Sequence, residues 1–364
     1  MITTKVLYLI NFAGQGGTEK YVERLVHAFH PDQCQCCLCY HIEGPLVQRM
    51  KALGVPTFHL KMRHPFDLFA AKQLAALCRR EHVDVIHAQY PRENYIAILS
   101  RIFGSGVRVV FTAHLTLEQP LPWKIANRIV TRKDHRVIAV CNAGAEILKK
   151  NGVPQSQITV VFNGVDADTM PHRDRSVWRE FGIPEEALVL TILARLSPEK
   201  GLDFLIDAIQ ALQRKTDRSF RVVIAGDGEL LEILKRKIGQ AGLTETVLLL
   251  GYRTDTDRLL AASDIYMNSS QSEAMSFSIL EALANQLPIM ATDAGGNREL
   301  VATKPVCGML SPYGDVEHFS DGLCQMIENA DLRRQYSAAA YQKAKGMFSL
   351  KQMTEHVYQT YQPE

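Results

Sequence analysis

The most constraining feature of this 364-residue chain is a rhythm of short apolar segments that alternate with helix-like segments. Runs such as KVLYLINF, VDVIHAQ and VRVVFTAH are nearly continuous in apolar residues, and patterns such as FDLFAAKQLAALCRR separate them. Strands of this composition are buried on both faces, which is typical of a parallel sheet covered by helices. The first half of the sequence therefore predicts an α/β fold with a doubly wound parallel sheet.

The rhythm stops once and then resumes. The segment NGVDADTMPHRDRS is polar, rich in turn-forming residues and contains Pro171, so we expect a linker near 163–180. Apolar runs such as ALVLTILARL, SFRVVIAGDGE and PIMATDAGG follow it. A chain of this length suits two domains, and we assign residues 1–165 to the first and 166–345 to the second. We expect residues 346–364 to form a helix that returns to the first domain.

Composition and charge narrow the class of protein further. The first apolar run is too short to span a membrane, and no other stretch approaches the roughly 18 apolar residues that a spanning helix needs. We therefore expect a cytoplasmic protein, soluble or peripheral at the inner face of the membrane. Residues 1–165 hold 20 Lys and Arg against 11 Asp and Glu, whereas residues 166–364 hold 21 against 28. The basic first half suits an anionic partner, although solvated helix faces explain the same imbalance.

Four of the eight cysteines fall in the string CQCCLC, which admits two interpretations. Cys34 with Cys37, and Cys36 with Cys39, have the C-x-x-C spacing of zinc ligands. A buried strand that uses cysteine as a small apolar residue has the same pattern. Alternate residues of a strand face opposite sides, so four thiols cannot converge on one ion. We favour the strand and expect no metal site.

The segment SEAMSFSILEALANQ carries the strongest chemical signal. The pattern predicts a helix from Phe277 to Asn285, with Glu273 in the turn before it. Backbone N–H groups at the start of a helix, together with the helix dipole, favour a diphosphate there. A carboxylate accepts two hydrogen bonds at once and suits the hydroxyl pairs of sugars, so Glu273 and Glu281 are candidates to bind the sugar and the ribose.

The segment LARLSPEKGLDFLIDAI carries the second signal. It predicts a strand that ends at Arg195 and a helix that Ser197 caps, with Pro198 as its first residue. Lys200 then lies in the first turn, where the helix dipole disfavours a cation. A bound anion explains both cations, and a surface lysine paired with Glu199 or Asp203 is the alternative.

Six motifs occur together and in order: GGTEKYVERL at 16–25, FNGVD at 162–166, RLSPEKG at 195–201, AGDGE at 225–229, LGYR at 250–253, and Glu273-x7-Glu281. In this combination the chain resembles glycosyltransferase family four, a family of retaining enzymes with the GT-B fold. The resemblance implies two Rossmann-like domains that face a central cleft. It is most specific over 190–300 and looser in the first half.

The resemblance also implies residue roles. Arg195 and Lys200 would bind the donor diphosphate and stabilise its charge as it leaves. Glu273 would contact the donor sugar, Glu281 the ribose, and His114 the transferred sugar, so that His114, Arg195, Lys200 and Glu273 form the expected catalytic set. The remaining expected donor contacts are Gly16, Gly17, Gly251, Tyr252, Arg253, Met275, Ser276, Phe277 and Ser278.

The predicted function is retaining transfer of a hexose or N-acetylhexosamine from a nucleotide-sugar to an acceptor hydroxyl. UDP is favoured over GDP, and we expect neither a cofactor nor a metal, since the D-x-D patterns at 166–168 and 255–257 follow no suitable strand. The alternatives are a GT-B nucleotide-sugar epimerase and an inactive nucleotide-sugar-binding protein. No Rossmann dinucleotide fingerprint or phosphate-loop motif is present, and we expect no nucleic-acid partner.

The acceptor stays open among a lipid-linked glycan, a polysaccharide precursor and a small molecule. Residues 122–136 resemble a basic amphipathic helix, which suits an anionic membrane surface. An anionic acceptor, or core packing of the apolar residues of this segment, explains it equally. His87 ends a predicted strand and is either an acceptor-site residue or a structural histidine.

Overall fold

The chain divides into two units. The computed structural model describes residues 3–114, 117–170 and 172–363, so Pro171 of the expected linker lies outside the described residues. One unit comprises Met1–Asn163 and Leu350–Glu364, and the other comprises Gly164–Ser349. The divisions fall within a few residues of the positions 165 and 345 that the sequence suggested.

The first unit is built on a parallel sheet whose strands lie in the order β3-β2-β1-β4-β5-β6-β7. The strands are β1 (Thr4–Phe12), β2 (Cys34–Ile42), β3 (Thr57–His59), β4 (Val85–Ala88), β5 (Arg108–Ala113), β6 (Arg136–Ala139) and β7 (Ile158–Val160). The helices that cover it are α1 (Gly17–Ala28), α2 (Pro45–Ala52), α3 (Leu68–Arg80), α4 (Pro91–Ser100), α5 (Leu121–Val130), α6 (Asn142–Lys150) and the C-terminal α14 (Leu350–Tyr361). The predicted parallel α/β architecture is confirmed.

The second unit repeats the design with a parallel sheet in the order β10-β9-β8-β11-β12-β13. Its strands are β8 (Leu188–Leu193), β9 (Phe220–Ala225), β10 (Val247–Gly251), β11 (Ile265–Asn268), β12 (Ile289–Thr292) and β13 (Gly308–Ser311). Its helices are α7 (Leu202–Gln213), α8 (Leu231–Gln240), α9 (Thr256–Ala262), α10 (Phe277–Ala284), α11 (Asn297–Val301), α12 (Val316–Glu328) and α13 (Ala330–Lys345).

The central strands explain why the apolar runs are continuous. Every residue of β4, β11 and β12 is buried, because helices lie on both faces of each sheet. The largest core of the second unit lies between the sheet and the helices α7, α8 and α12. It includes Ile206, Ile224, Met267 and Phe319, each buried to 1% exposure or less.

The cysteine-rich string forms strand β2, as the sequence predicted. The Cys37 thiol donates a hydrogen bond to the Val6 carbonyl at 3.4 Å, and burial raises the pKa of Cys37 to about 12. The described residues contain no group of three or more His, Cys, Asp or Glu side chains that could hold a metal ion. Their helices include none that is long and apolar enough to cross a membrane.

A buried polar cluster joins α14 to the sheet of the first unit. His87 on β4 is completely buried, and its Nδ1 lies 2.6 Å from Tyr361 Oη while its Nε2 lies 2.7 Å from Thr112 Oγ1. Tyr8 and Tyr21 extend the cluster through Tyr361 and Thr112 at 3.4 and 3.2 Å. Both ring nitrogens of His87 are thus occupied inside the core. This arrangement favours the structural role of His87 over a role in acceptor binding.

We predict that Tyr361→Phe destabilises the first unit by about 1–3 kcal/mol, because it leaves a buried ring nitrogen of His87 unpaired. Urea titration followed by circular dichroism measures the loss. Tyr358→Phe is the matched control, because its hydroxyl makes one exposed hydrogen bond of 3.4 Å to the Gln33 carbonyl. The control variant should stay within about 0.5 kcal/mol of the unchanged protein. Equal stability of the two variants would contradict the prediction.

We also predict that stability falls on mild acidification. Burial, aided by His114, lowers the pKa of His87 to about 3, whereas an unfolded histidine titrates near 6.5. Between these values the unfolded chain binds a proton that the folded chain does not. The free energy of unfolding therefore falls as the pH is lowered through this window, by up to about 1.4 kcal/mol per pH unit from this group.

Urea titrations between about pH 7 and about pH 5 measure this slope. His87→Gln is expected to be less stable near neutral pH but to show a shallower decline, because the titrating group is gone. His356→Gln, at an exposed position of α14, should keep the slope of the unchanged protein. Parallel profiles for all three proteins would refute the assignment.

Candidate active site

The order of strands in the second unit reverses between β8 and β11, which lie side by side. Ligands of doubly wound sheets bind outside the carboxyl ends of the strands at such a reversal. The loop after β8 carries Arg195 and Lys200, and the loop after β11 carries Glu273. The structure therefore brings the two strongest sequence signals to one place.

Hydrogen bonds to backbone carbonyls tie these two loops together. Ser269 Oγ donates to the Lys200 carbonyl at 2.8 Å, and the Gln271 N–H donates to the Glu199 carbonyl at 2.9 Å. Gly201 has φ of +62°, and a Cβ at this position would lie 2.1 Å from the Ser269 carbonyl oxygen. Only glycine fits both this conformation and this close approach.

The predicted helix from Pro198 is wrong in its first part. Pro198–Lys200 forms a single 3-10 turn, Gly201 is left-handed, and α7 begins at Leu202. The helix is interrupted because Gly201 is left-handed, and the close approach of the Ser269 carbonyl leaves no room for a side chain there. Ser197 precedes the short turn but makes no side-chain cap, since its hydroxyl donates to Glu199 at 2.7 Å instead. Lys200 therefore does not lie in the first turn of the long helix.

Lys200 forms an ion pair with Glu273, and not with Glu199 or Asp203. Lys200 Nζ lies 2.6 Å from Glu273 Oε1, and the two side chains are 25% and 11% exposed. Ser270 Oγ donates to the same oxygen at 2.7 Å, and Asn268 Nδ2 approaches it at 3.5 Å. Three donors thus converge on Oε1. The arrangement orients the carboxylate and directs Oε2 to other donors.

Arg195 is held by a second carboxylate that the sequence analysis did not assign to the site. Arg195 Nη2 donates to Glu199 Oε1 at 2.6 Å, and Ser197 Oγ donates to the same atom at 2.7 Å. Partial burial alone would raise the pKa of Glu199. The hydrogen bonds from Ser197, from its own backbone N–H and from Arg195 outweigh burial and lower the pKa to about 2. Glu199 is therefore a permanent anion beside Arg195 at neutral pH.

Helix α10 starts where the sequence placed it. Ser276 is the N-cap, and its Oγ accepts a hydrogen bond from the Ile279 N–H at 3.4 Å. Ser278 Oγ lies 3.0 Å from Ser276 Oγ, so two hydroxyls flank the first backbone N–H groups of the helix. The predicted contacts Met275 and Phe277 are buried to 5% and 8% exposure, which leaves their backbone as the part that can meet a ligand. Glu281 lies buried in the second turn of α10.

A third loop supports Glu273 and was missed from the sequence. Gly295, in the loop after β12, has φ of +51°, and a Cβ there would lie 1.7 Å from the Glu273 carbonyl oxygen. Gly296 N–H donates to the Ala274 carbonyl at 2.7 Å. Thr292 Oγ1 donates to the Ser270 carbonyl at 2.6 Å. The paired glycines in TDAGGN were the available signal for this close backbone approach.

The residues expected near the base follow β10, an edge strand two positions from β8. Gly251 ends this strand with φ of +68°, and Tyr252 is 58% exposed. Arg253 is paired through both Nε and Nη2 with Asp255, at 2.8 and 2.7 Å, and lies over the Phe181 ring. This pairing makes Tyr252 the better placed of the two side chains for contact with a base.

Gly16 and Gly17 lie at the start of α1, in the loop after β1 of the first unit. Glu19 Oε2 accepts the Gly16 N–H at 2.8 Å, and Glu19 Oε1 accepts the Gly14 N–H at 3.2 Å. These N–H groups are thus already bonded to a carboxylate. The G-x-x-E spacing of a capping box was visible in the sequence, and its effect on the loop was not anticipated.

His114 follows β5 in the first unit. Its Nε2 lies 2.8 Å from Gln89 Oε1, and the Gln89 side-chain amide donates to the His87 carbonyl at 3.0 Å. Burial lowers the pKa of His114 to about 3, so the ring is neutral at pH 7. Because an amide oxygen accepts, Nε2 carries the proton and Nδ1 is an acceptor. His114 is therefore suited to accept a hydrogen bond from a hydroxyl.

Three of the four aspartates in the two D-x-D patterns bind other groups of the chain. Asp255 binds Arg253, as described above, and precedes α9. Asp168 forms an ion pair of 2.7 Å with Lys345, and Asp166 accepts the Asp168 N–H at 3.0 Å.

Comparison with known proteins covers both units. The family described as Glycosyltransferase Family 4 matches residues 15–169, and the family described as Glycosyl transferases group 1 matches residues 175–343. The chain is 24% identical over 298 residues to N-acetyl-alpha-D-glucosaminyl L-malate synthase of Bacillus anthracis, which covers 78% of this chain and 76% of the relative. It is 27% identical over 305 residues to an Escherichia coli UDP-Gal:alpha-D-GlcNAc-diphosphoundecaprenol alpha-1,3-galactosyltransferase, with coverage of 79% and 78%.

Solved structures match over almost the whole chain. HepE of Anabaena, solved in complex with UDP, superposes with a TM-score of 0.85 at 21% identity and covers 98% of this chain and 99% of its own. WaaG, a glycosyltransferase involved in lipopolysaccharide biosynthesis, superposes with a TM-score of 0.72 at 14% identity, with coverage of 99% and 100%. The two parallel-sheet units, the loops joined at Ser269 and these matches lead to one conclusion: the chain belongs to glycosyltransferase family four and has the GT-B fold.

Proposed function

We propose that the protein is a retaining hexosyltransferase that moves a hexose or an N-acetylhexosamine from a UDP-sugar to an acceptor hydroxyl. The observation that carries this proposal is the ion pair between Lys200 and Glu273 beside the start of α10. It combines a cation for phosphate, a carboxylate for sugar hydroxyls and backbone N–H groups for an anion at one end of a parallel sheet.

In the proposed reaction Lys200 and Arg195 bind the diphosphate and stabilise the charge that develops as it leaves. Glu273 Oε1 is already engaged by Lys200 and Ser270, so Oε2 accepts from hydroxyls of the donor sugar. Glu281 binds the ribose, and Tyr252 contacts the base. Arginine and lysine supply the positive charge, and we therefore propose a reaction that needs neither metal nor cofactor.

We further propose that the acceptor hydroxyl attacks from the face that the diphosphate leaves, so that the anomeric configuration is retained. A phosphate oxygen of the leaving group then takes the acceptor proton. His114 contacts a hydroxyl of the transferred sugar through Nδ1, since Nε2 is bonded to Gln89. Of the two glycines at the start of α1, we propose Gly17 as a backbone contact of the donor, since the Gly16 N–H is already bonded to Glu19.

The choice of UDP and of acceptor class draws on the relatives. HepE was also solved in complex with UDP-glucose, and the Escherichia coli relative is named for UDP-Gal. That relative and one from Campylobacter jejuni are named for diphospho-undecaprenol acceptors, whereas others are named for malate and for inositol 3-phosphate. An acceptor that is lipid-linked or anionic is common to these names, and we propose the same for this chain.

We also propose a cytoplasmic location. Strand β2 carries four free cysteines, Cys34, Cys36, Cys37 and Cys39, and three of them are buried. Free thiols grouped in this way are typical of a reducing compartment.

The donor site is tested by thermal shift with UDP, GDP, ADP and dTDP. UDP is expected to stabilise the protein, by about 2.7 kcal/mol at a concentration of 100 Kd. Lys200→Ala and Arg195→Ala should each abolish the shift, because each removes a phosphate-binding cation. Lys235→Ala is the control, since Lys235 is an exposed lysine that pairs with Glu232 on α8. A UDP shift that survives in both site variants, or no shift with any nucleotide, would overturn the proposal.

Glu199 is predicted to position Arg195. Glu199→Gln should lower kcat about tenfold with little change in KM for the donor, because a neutral amide holds the guanidinium less firmly. A double-mutant cycle measures the coupling: once Arg195 is replaced by alanine, Glu199→Gln should have little further effect. Glu232→Gln, which alters a carboxylate on the exposed side of α8, should leave both constants unchanged. Additive effects of the two site substitutions would show that Glu199 does not act through Arg195.

A further inference from the structure

Helix α5 of the first unit is oriented with its polar side inward. Asn127 is buried, accepts from Tyr95 Oη at 2.6 Å and donates to Gln119 Oε1 at 2.8 Å and to the Asn151 carbonyl at 3.0 Å. Thr131, one turn later, is also buried and donates to the Asn127 carbonyl. Hydrogen bonds of polar side chains therefore attach the inward side of this helix to its unit.

The apolar side of α5 points outward. Leu121, Ile125 and Ile129 recur every four residues and form one stripe, and they are 68%, 54% and 66% exposed. Helices of globular proteins normally turn such a stripe toward the core, as α8 does with buried Leu234 and Ile238. A single exposed leucine needs no explanation, but a complete stripe on one helix marks an interaction surface.

Neighbouring residues extend this stripe. The Phe66 and Trp123 rings are stacked, with centroids 6.4 Å apart and planes inclined by 7°. Phe66 is 48% exposed, and the next apolar residues along the chain, Leu68 and Phe69, are 56% and 66% exposed. We call the surface formed by these three residues and by Leu121, Trp123, Ile125 and Ile129 the α5 face.

The charges of the segment that carries α5 are mostly basic. Basic residues of the helix and the turn after it adjoin the apolar stripe: Lys124, Arg128, Arg132 and Lys133. The segment 117–133 contains a single acidic residue, Glu118, which is paired with Lys150 at 3.4 Å. A positive margin around an exposed apolar stripe complements an anionic surface that also has an apolar interior.

We propose that the α5 face binds the surface of a membrane that contains anionic lipids. Leucine, isoleucine and phenylalanine side chains enter the boundary between headgroups and acyl chains, Trp123 lies at headgroup level, and the basic side chains contact lipid phosphates. A second copy of the chain is a poorer partner, because an interface of this face with itself would bring the four cations of each copy together. Membrane binding would place the enzyme where a lipid-linked acceptor is found. For this link to the acceptor, the inference rests on the proposed function.

Co-sedimentation with phosphatidylcholine vesicles, with and without phosphatidylglycerol, tests the proposal on the full chain without donor or acceptor. Binding is expected only to vesicles that contain phosphatidylglycerol, and it should weaken as salt is added. Fluorescence gives a second readout. Trp123 is 39% exposed and should shift to shorter wavelength on binding, whereas the other tryptophan, Trp178, is already buried.

Two double variants separate the apolar from the electrostatic contribution to vesicle binding. Ile125→Ser with Ile129→Ser, and Arg128→Gln with Arg132→Gln, should each weaken vesicle binding on the order of tenfold or more. The controls lie on α8: Ile233→Ser, at an isoleucine that is 47% exposed, and Arg236→Gln, at an exposed arginine. Both controls should bind vesicles as the unchanged protein does. The UDP thermal shift should persist in all four variants, so loss of membrane binding is distinguished from failure of the donor site.

Three outcomes would overturn the inference: equal binding to vesicles with and without phosphatidylglycerol, binding that neither α5 variant changes, and absence of vesicle binding. In the last case, light scattering shows whether the chain is a dimer that Ile125→Ser with Ile129→Ser dissociates. That result would assign the α5 face to a second copy of the chain.

Discussion

The rest of the structure depends on the parallel pairing of the strands in each sheet. Because neighbouring strands run in one direction, all their carboxyl ends reach the same edge, and the loops that follow them must pack against one another there. In the second unit the loops can pack this closely because glycine lies at the points of contact. The Ser269 carbonyl approaches Gly201, and the Glu273 carbonyl approaches Gly295, more closely than any side chain would allow. The position of Glu273 is thus set from both sides by backbone, and its side chain needs only to be oriented.

Electrostatics explains why two cations are stable at this edge. Arg195 and Lys200 each contact a carboxylate, Glu199 and Glu273 respectively, so neither carries an uncompensated charge. Glu199 is also bonded to Ser197, and it remains ionised at neutral pH because its pKa is lowered to about 2. An arriving diphosphate would compete with both carboxylates for the cations, so the present pairs hold those cations in place before a ligand binds.

Much of the fold and part of the site followed from sequence because they depend on local patterns. The continuous apolar runs predicted strands β8, β9 and β12, and the pattern of residues 277–285 predicted helix α10. Contacts between loops could not be predicted in this way. The carbonyl that packs against Gly201 at the break belongs to Ser269, 68 positions later in the chain, and the partner of Lys200 is 73 positions away. His87 was ambiguous for the same reason, because Tyr361 and Thr112 meet it only in the folded unit.

Helix α5 shows a related limit of sequence patterns. Amphipathicity states that a helix has an apolar side, but it does not state whether that side meets the core or another surface. For α5 the answer lies in Asn127, whose three hydrogen bonds to Tyr95, Gln119 and Asn151 satisfy its polar groups inside the unit. Turning the helix over would bury Ile125 and Ile129. It would also break these hydrogen bonds and expose the side chain of Asn127 to water. Burial alone would have favoured the isoleucines, so the inverted orientation is the observation that supports the membrane contact we propose for the apolar stripe.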